Sequence, residues 1–504
     1  MKKQPVVLGV DIGTSSTKTL LVAANGRIVA EATAAYPLHS PKPGWNEQSP
    51  SDWWQATIKT SRAVMSQSGL RPSEVAGIGL SGQMHGSVFL DERGKVLRNA
   101  LLWNDQRTAQ QCADITAAAG GAKGLIALVN NVALTGFTAP KILWLRDNEP
   151  KRFPQLRQVL LPKDYIRYLL TGDYASEFSD AAGTLLLDVK NRCWSAPLLR
   201  KLDLDAKLFP KLYESPEVTG TLNAEAAQAL GLVTGIPVVG GAGDQPAGAV
   251  GMGVVEEGIV SATLGTSGVI FAHAEKMVPN PAGVLQSFCH AVPGKWCVFG
   301  CMLSAGGSFE WAKALLYADA RPKSRNVFDL MNAELARVPP GCEGLFFLPY
   351  LDGERCPHAD PMARAGWIGL SRRHGRAAMA RAVMEGVTFG MADQVMLMRE
   401  LGVKVSEVRC GGGGAKSRFW RQLQTDIYNA TTCTVDSPNA AAYGAALLGG
   451  VGVGLWPSVP AACRQTLTVR ERLRPSAKSA RFYTKRHVIY RQLYPTLRAI
   501  FPQL

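Results

Sequence analysis

The chain has 504 residues, 46% of them apolar and 19% charged, which excludes a disordered or collagen-like polypeptide and leaves material for two large cored domains. Basic residues outnumber acidic ones 55 to 40, a formal charge of +15 that invites anionic partners but says nothing about fold. The ten cysteines show no CxxC pair and no Cys/His spacing suited to zinc, so they read as buried, reduced thiols.

The first apolar run, Val6–Val10, ends at Asp11, too early for a secretory leader, and a soluble cytoplasmic protein is expected. That run is a buried strand and Thr19–Ala23 a second; Asn25-Gly26 then turns the chain into Arg27–Ala30. Ser51–Gln67 has helical spacing with a cap at Ser51. Val75–Leu80 is a strand that runs into Ser-Gly-Gln-Met-His-Gly at 81–86. A second system opens with the strand Ile236–Val239, a Gly-rich turn to Asp244, and a small-residue helix over Ala247–Met252. The strand Gly258–Ala262 then enters Leu264-Gly-Thr-Ser-Gly268 and returns as Val269–Ala272.

The strand–Gly-Thr-Ser–strand arrangement of Val7–Leu21 therefore recurs at Ile259–Ala272, a distant internal repeat of two halves. The boundary falls in the Gly-rich stretch 248–258, giving domains 1–250 and 251–504, and its glycines suit a hinge. The charge-free run Ser437–Cys463 is long enough to span a membrane, but Pro438, Pro457, Pro460 and its glycines make it a buried small-residue helix plus loop. Basic residues crowd Arg464–Arg498 and alternate with Phe482, Tyr483, Tyr490, Tyr494 and Phe501, as in a docked amphipathic helix. A nucleic-acid contact is the other reading of this tail.

Five constellations carry chemistry. Asp11-Ile-Gly-Thr-Ser-Ser-Thr-Lys18 puts a carboxylate at the end of a buried strand beside a hydroxyl-rich tight turn, a phosphate cradle with an adjacent magnesium-side acid. It is neither a Walker A motif nor GxGxxG. Leu264–Gly268 is the same device in the second half. Asp244, after a strand and a Gly turn, suits either a helix N-cap or a base that takes a proton from a substrate hydroxyl. Four glycines at 411–414 before a helix starting near Ser417 let a flat base and sugar approach the backbone. Ser81–Gly86 with Trp103-Asn104-Asp105-Gln106-Arg107 offers amide, imidazole, carboxylate and guanidinium to a polyol, with Trp103 as apolar wall.

Taken together, these motifs resemble the carbohydrate kinases named for their FGGY motif. The likeness spans DIGTSSTK at 11–18, PGWNEQSP at 43–50, SGQMHG at 81–86, LWNDQR at 102–107, GAGDQ ending at Gln245, LGTSG at 264–268, FLPYLDGERCPH at 347–358 and the glycines 411–414. Met84-His85 resembles the xylulokinase branch rather than the glycerol kinases, where Arg-Glu is expected. The resemblance implies an α/β protein of two ribonuclease H-like (actin-like ATPase) domains flanking a cleft, with sugar on the first and ATP on the second.

By matching motifs, Asp244 carries over as general base and Asp11 as the acid that orients Mg²⁺ and its waters, with both residues near the metal. Thr14, Ser15 and Thr266 resemble the phosphate-hairpin contacts, Gly306 and Glu310 the nucleotide-side helix start, and Gly412, Gly413 and Ser417 the adenosine loop. Met84, His85, Asp244 and Gln245 would hold a ketose, lined by Trp103, Asn104 and Asp105. The implied ligands are ATP, Mg²⁺ and a small sugar, without nucleic acid or membrane, and a homodimer is compatible. Asp352, Cys356 and Lys416 depart from the Ser, Thr and Arg that relatives carry.

The activity that follows is phosphorylation of D-xylulose by ATP at O5. Kinases for L-xylulose, ribulose or a polyol are the near alternatives, and a nucleotide-driven clamp of the actin or chaperone kind is the alternative from another class.

Overall fold

The computed structural model describes residues 5–320, 326–437 and 439–504. The basic start at Lys2 and Lys3 and Pro438 of the charge-free run lie outside the described residues.

In the first half, the strands β1 (Val6–Ile12), β2 (Ser16–Ala23), β3 (Ile28–Ala35), β4 (Val75–Gly82), β5 (Val218–Thr221) and β6 (Pro237–Val239) form one sheet in the order β5-β6-β4-β1-β2-β3. β1 is apolar on both faces because it lies inside the sheet, antiparallel to β2 and parallel to β4. The second half builds β7 (Gly258–Leu264), β8 (Gly268–Ala274), β9 (Gln286–Cys289), β10 (Trp296–Met302), β11 (Val405–Gly411), β12 (Thr431–Val435) and β13 (Val469–Leu473) in the order β9-β10-β8-β7-β11-β12-β13. Leaving out the extra edge strand β9, both sheets have the same order and the same parallel and antiparallel pairings at their centres. The repeat read from the two Gly-Thr-Ser turns is thus a repeat of whole sheets.

Six helices matter here: α1 (Pro50–Ser68), α2 (Asp244–Gly251), α3 (Gly306–Leu316), α4 (Arg376–Glu400), α5 (Ala440–Gly452) and α6 (Ala477–Leu497). α1 is capped at Ser49 rather than Ser51; the two hydroxyls bond each other at 2.8 Å, and Pro50 takes the first helical position where no amide is needed.

The charge-free run becomes α5 and a further helix, Val459–Thr466, rather than a helix and a loop. α5 comes late in sequence yet packs under the first sheet, where Ala442, Ala446 and Leu447 join Val7, Leu20 and Val22 in one core. The small residues are required there: a Cβ on Gly79 would sit 1.8 Å from the Ala445 carbonyl oxygen, and one on Gly444 1.9 Å from that of Ala247. α2 and α5 therefore cross backbone to backbone. This bears on the glycines read as a hinge. Gly248 and Gly251 lie inside α2, and only Gly253 (φ 70°) and Gly258 (φ 89°) use the left-handed region.

α6 docks by Tyr483, Tyr490 and Tyr494, all buried, and leaves Phe482 exposed. All ten cysteines are free thiols. Among the described residues no single helix is long and apolar enough to cross a membrane.

Candidate active site

Strand register assembles the two acids. Asp11 pairs with Ser81 of β4, and Ser81 pairs in turn with Ala242, so three strand ends lie level. Ser81 donates from Oγ to Asp11 Oδ1 at 3.0 Å. Asp244 follows two residues beyond Ala242 as the first residue of α2, whose N-cap is Gly243. Asp244 is therefore not the cap. Burial pushes the Asp11 carboxyl up, against the Ser81 hydrogen bond. Burial, reinforced by the charge of Asp11, lifts Asp244 to about 7, while hydrogen bonds from Gln245 oppose the rise. A carboxylate poised there can accept a proton near neutral pH.

The Met84-His85 pair forms the neighbouring wall. His85 is held in the left-handed region (φ 70°) with Nδ1 2.7 Å from the Gly183 carbonyl oxygen. That geometry assigns the proton to Nδ1 and leaves Nε2 as an acceptor. Burial lowers the imidazole to about 3, so it is neutral throughout the working range. Phe137 meets its ring edge-on at 4.9 Å, and Thr138 Oγ1 and Lys141 Nζ donate to the His85 carbonyl at 3.1 and 2.9 Å. Met84 is buried and packed so closely on Gly243 that a Cβ there would lie 2.7 Å from its Cγ.

The first Gly-Thr-Ser turn is tied into this wall. Trp103 Nε1 donates to Thr14 Oγ1 at 2.9 Å and Gln48 Nε2 to the Thr14 carbonyl at 2.6 Å, while Ser15 is exposed. The Asn104 carbonyl accepts from Asn46 at 3.0 Å. Asp105 is held from within its own loop. It is fully buried, and its oxygens accept from Arg107 (2.7 Å) and the Asn46 amide (2.7 Å), bracing the loop itself.

The second turn faces a cavity of about 530 Å³. Its backbone locks onto the start of α3: the Gly306 amide donates to Gly265 O at 2.8 Å, and Ala305 and Gly307 donate to Thr266 O at 2.8 and 3.0 Å. Thr266, Gly306, Glu310, Gly413 and Ser417 all line the cavity. Gly412 instead makes the turn behind it at φ 77°, where a Cβ would meet Leu264 O at 2.5 Å. Ser417 caps the helix Arg418–Tyr428 through the Trp420 amide and donates to Asn332 Oδ1 at 3.0 Å.

Sequence reading missed Asn332 and Phe328, which complete the cavity from a helix without a motif, and Phe309, which lies between Gly306 and Glu310 on α3. It also missed a buried cluster beside Asp244, in which Lys163 lies 2.5 Å from Asp164, 3.3 Å from Glu177 and 3.5 Å from Asp180. These charges come from two helices and a strand end, and spread along the sequence each looks solvated, so no signal marked them.

The FGGY family of carbohydrate kinases matches the chain in both parts, its N-terminal domain over residues 6–251 and its C-terminal domain over residues 260–453. The chain is 42% identical over 420 residues to the xylulose kinase of Escherichia coli, covering 83% of this chain and 84% of that protein. It is 37% identical to the xylulose kinase of Bacillus subtilis, covering 97% and 96%. Its fold matches the crystal structure of a "xyloylose kinase" from Brucella ovis with a TM-score of 0.91 at 36% identity, over 98% of this chain and all of that one.

Proposed function

The chain belongs to the FGGY family of carbohydrate kinases, and from that membership we propose that it transfers the γ-phosphoryl group of ATP to O5 of D-xylulose. The observation that carries the reading is that Ala242-Gly243, leading into Asp244, pair with Ser81-Gly82 and pack on Met84, while a glycine-lined cavity opens on the second sheet. ATP occupies that cavity, its phosphates directed toward the two Gly-Thr-Ser turns. The sugar lies against Met84, His85 and Gln245 with its O5 hydroxyl toward Asp244. As the O5–phosphorus bond forms and the bond to ADP breaks, Asp244 takes the hydroxyl proton. His85, neutral with Nε2 free, accepts a hydrogen bond from a sugar hydroxyl.

Asp11 and Asp244 fit a magnesium ion. They are two carboxylates raised by burial, one of them further raised by the other, and a cation held by them would relieve that repulsion. Among the described residues no group of three or more His, Cys, Asp or Glu side chains forms a metal cage. When bound there, the ion would neutralise phosphate charge. The homodimer and the domain limits 1–250 and 251–504 remain part of this proposal.

A coupled ADP-release assay across ketopentoses, polyols and hexuloses tests the assignment. D-Xylulose is expected to give the highest kcat/KM; a higher value with L-xylulose, ribulose or a polyol reassigns the substrate, and no sugar-dependent ADP release overturns the reading. His85→Ala is expected to raise the sugar KM about tenfold, the worth of one hydrogen bond of this kind, and to leave the ATP KM nearly unchanged. Because the imidazole titrates only near 3, the wild-type sugar KM should carry no His85 titration between pH 5.5 and 8.

A further inference from the structure

Among the described residues, the guanidinium of Arg355 has no hydrogen-bond or ion-pair partner. Arg355 sits in a loop that is firmly held: Glu354, 2% exposed, accepts from the Leu303 and Arg355 amides at 3.1 and 2.7 Å. Glu354 and Asp360 also exchange backbone hydrogen bonds at 2.8 Å each. Leu303 immediately precedes the Ser304-Ala305-Gly306 stretch that grips the second Gly-Thr-Ser turn, so Arg355 is fixed to the phosphate-side framework.

Arg355 lines a small cavity walled by Asn131 and Phe137 from the first half and by Cys301 and Cys356 from the second. Phe137 is the ring that meets His85 edge-on. Cys301 pairs with Val269, one residue beyond the turn. Arg355 therefore shares a cavity with Phe137, the neighbour of His85, and with Cys301, the strand partner of Val269. Its charge is also felt at His85, where it helps to hold the imidazole neutral.

Among the described residues the guanidinium makes no hydrogen bond or ion pair, whereas the backbone is engaged at both ends, the amide donating to Glu354 Oε1 and the carbonyl accepting from the Ala359 amide at 2.8 Å. By contrast, Arg98 and Arg107 pair with Glu47, and Arg381 with Glu385. A guanidinium is a planar fork of donors suited to two oxygens of one phosphate, and phosphoryl transfer spreads negative charge over those oxygens.

We propose that Arg355 is a catalytic residue of this transfer, its guanidinium binding the phosphoryl group as it passes from ATP to the sugar. The inference rests on the sugar-kinase reading. Arg355 keeps its proton throughout; the O5–phosphorus bond forms, the bond to ADP breaks, and the hydroxyl proton goes to Asp244.

The test uses the full chain with Mg-ATP and D-xylulose. Arg355→Ala is expected to lower kcat about 10²–10³-fold, the range for losing one preorganised charge-stabilising donor, with the KM for sugar and ATP within about threefold. Added guanidinium chloride at millimolar concentration should restore at least tenfold of the loss. Arg355→Lys should stay at least tenfold below wild type, because an ammonium does not fork. A kcat within threefold of wild type in Arg355→Ala overturns the proposal, as does a loss without guanidinium rescue. Should the alanine variant fail to fold, Arg355→Lys decides alone: wild-type kcat in it overturns the assignment. Wild-type turnover in the same assay reports on the reading beneath. Without sugar-dependent ADP release both fall, whereas turnover equal in wild type and variant removes only Arg355.

Discussion

Asp244→Asn is expected to lower kcat about 10²–10⁴-fold, the usual worth of a positioned general base, while ATP affinity stays within a few-fold. The amide keeps the shape of the carboxyl at the start of α2, whose cap is Gly243, so helix geometry survives the change. What it loses is the ability to accept a proton. Since Asp244 sits at about 7, kcat/KM of the wild type should rise as pH climbs through 7 and level off above it. Stability should run the other way. The folded carboxyl binds its proton more tightly than the unfolded one, so stability falls as pH rises from the ordinary carboxylate range through about 7. Asp244→Asn escapes that cost and should melt higher than wild type at pH 8, with the difference closing near pH 4. If kcat survives nearly intact, the base lies elsewhere.

Asp11→Asn is expected to cost about 10²-fold in turnover and to raise the Mg²⁺ concentration needed for half-maximal rate, with the sugar KM little changed. A second consequence is independent of metal titration. The Asp11 charge helps hold Asp244 high, so a neutral amide lets Asp244 fall toward its ordinary range. The rise of kcat/KM with pH should therefore move below 7 in Asp11→Asn. Unchanged Mg²⁺ dependence together with an unmoved pH profile counts against the assignment.

Where the sequence was legible, local pattern and tertiary position coincided. Val6–Asp11 reads as a buried strand ending in an acid because burial on both faces leaves only apolar residues until the strand emerges into the site. Ser417 reads as a helix start because capping is a local event, and the structure places it there. Asn332 escaped because its partner Ser417 lies on a distant element, and a single amide on a helix carries no period or spacing. Asp105 reads as a sugar contact from its polar neighbours Asn104 and Gln106, while the tie to Arg107, two positions on, is a fact of loop geometry that spacing does not announce. α5 was readable as buried from its small residues, but composition does not say which sheet will bury it.

That last placement has a consequence for how the polypeptide matures. During synthesis the strands carrying Val7, Leu20 and Val22 emerge first, while their packing partners Ala442, Ala446, Leu447 and Cys463 emerge last. The first half can pair its strands early but cannot close this part of its core until the second has been made. Until then an apolar face stays open, the condition under which large nascent chains misassociate. Completion of the two halves is thus obligatorily interleaved: a nascent chain cut before α5 lacks the residues that seal the first sheet, and the last segments made act as the fastener for the first.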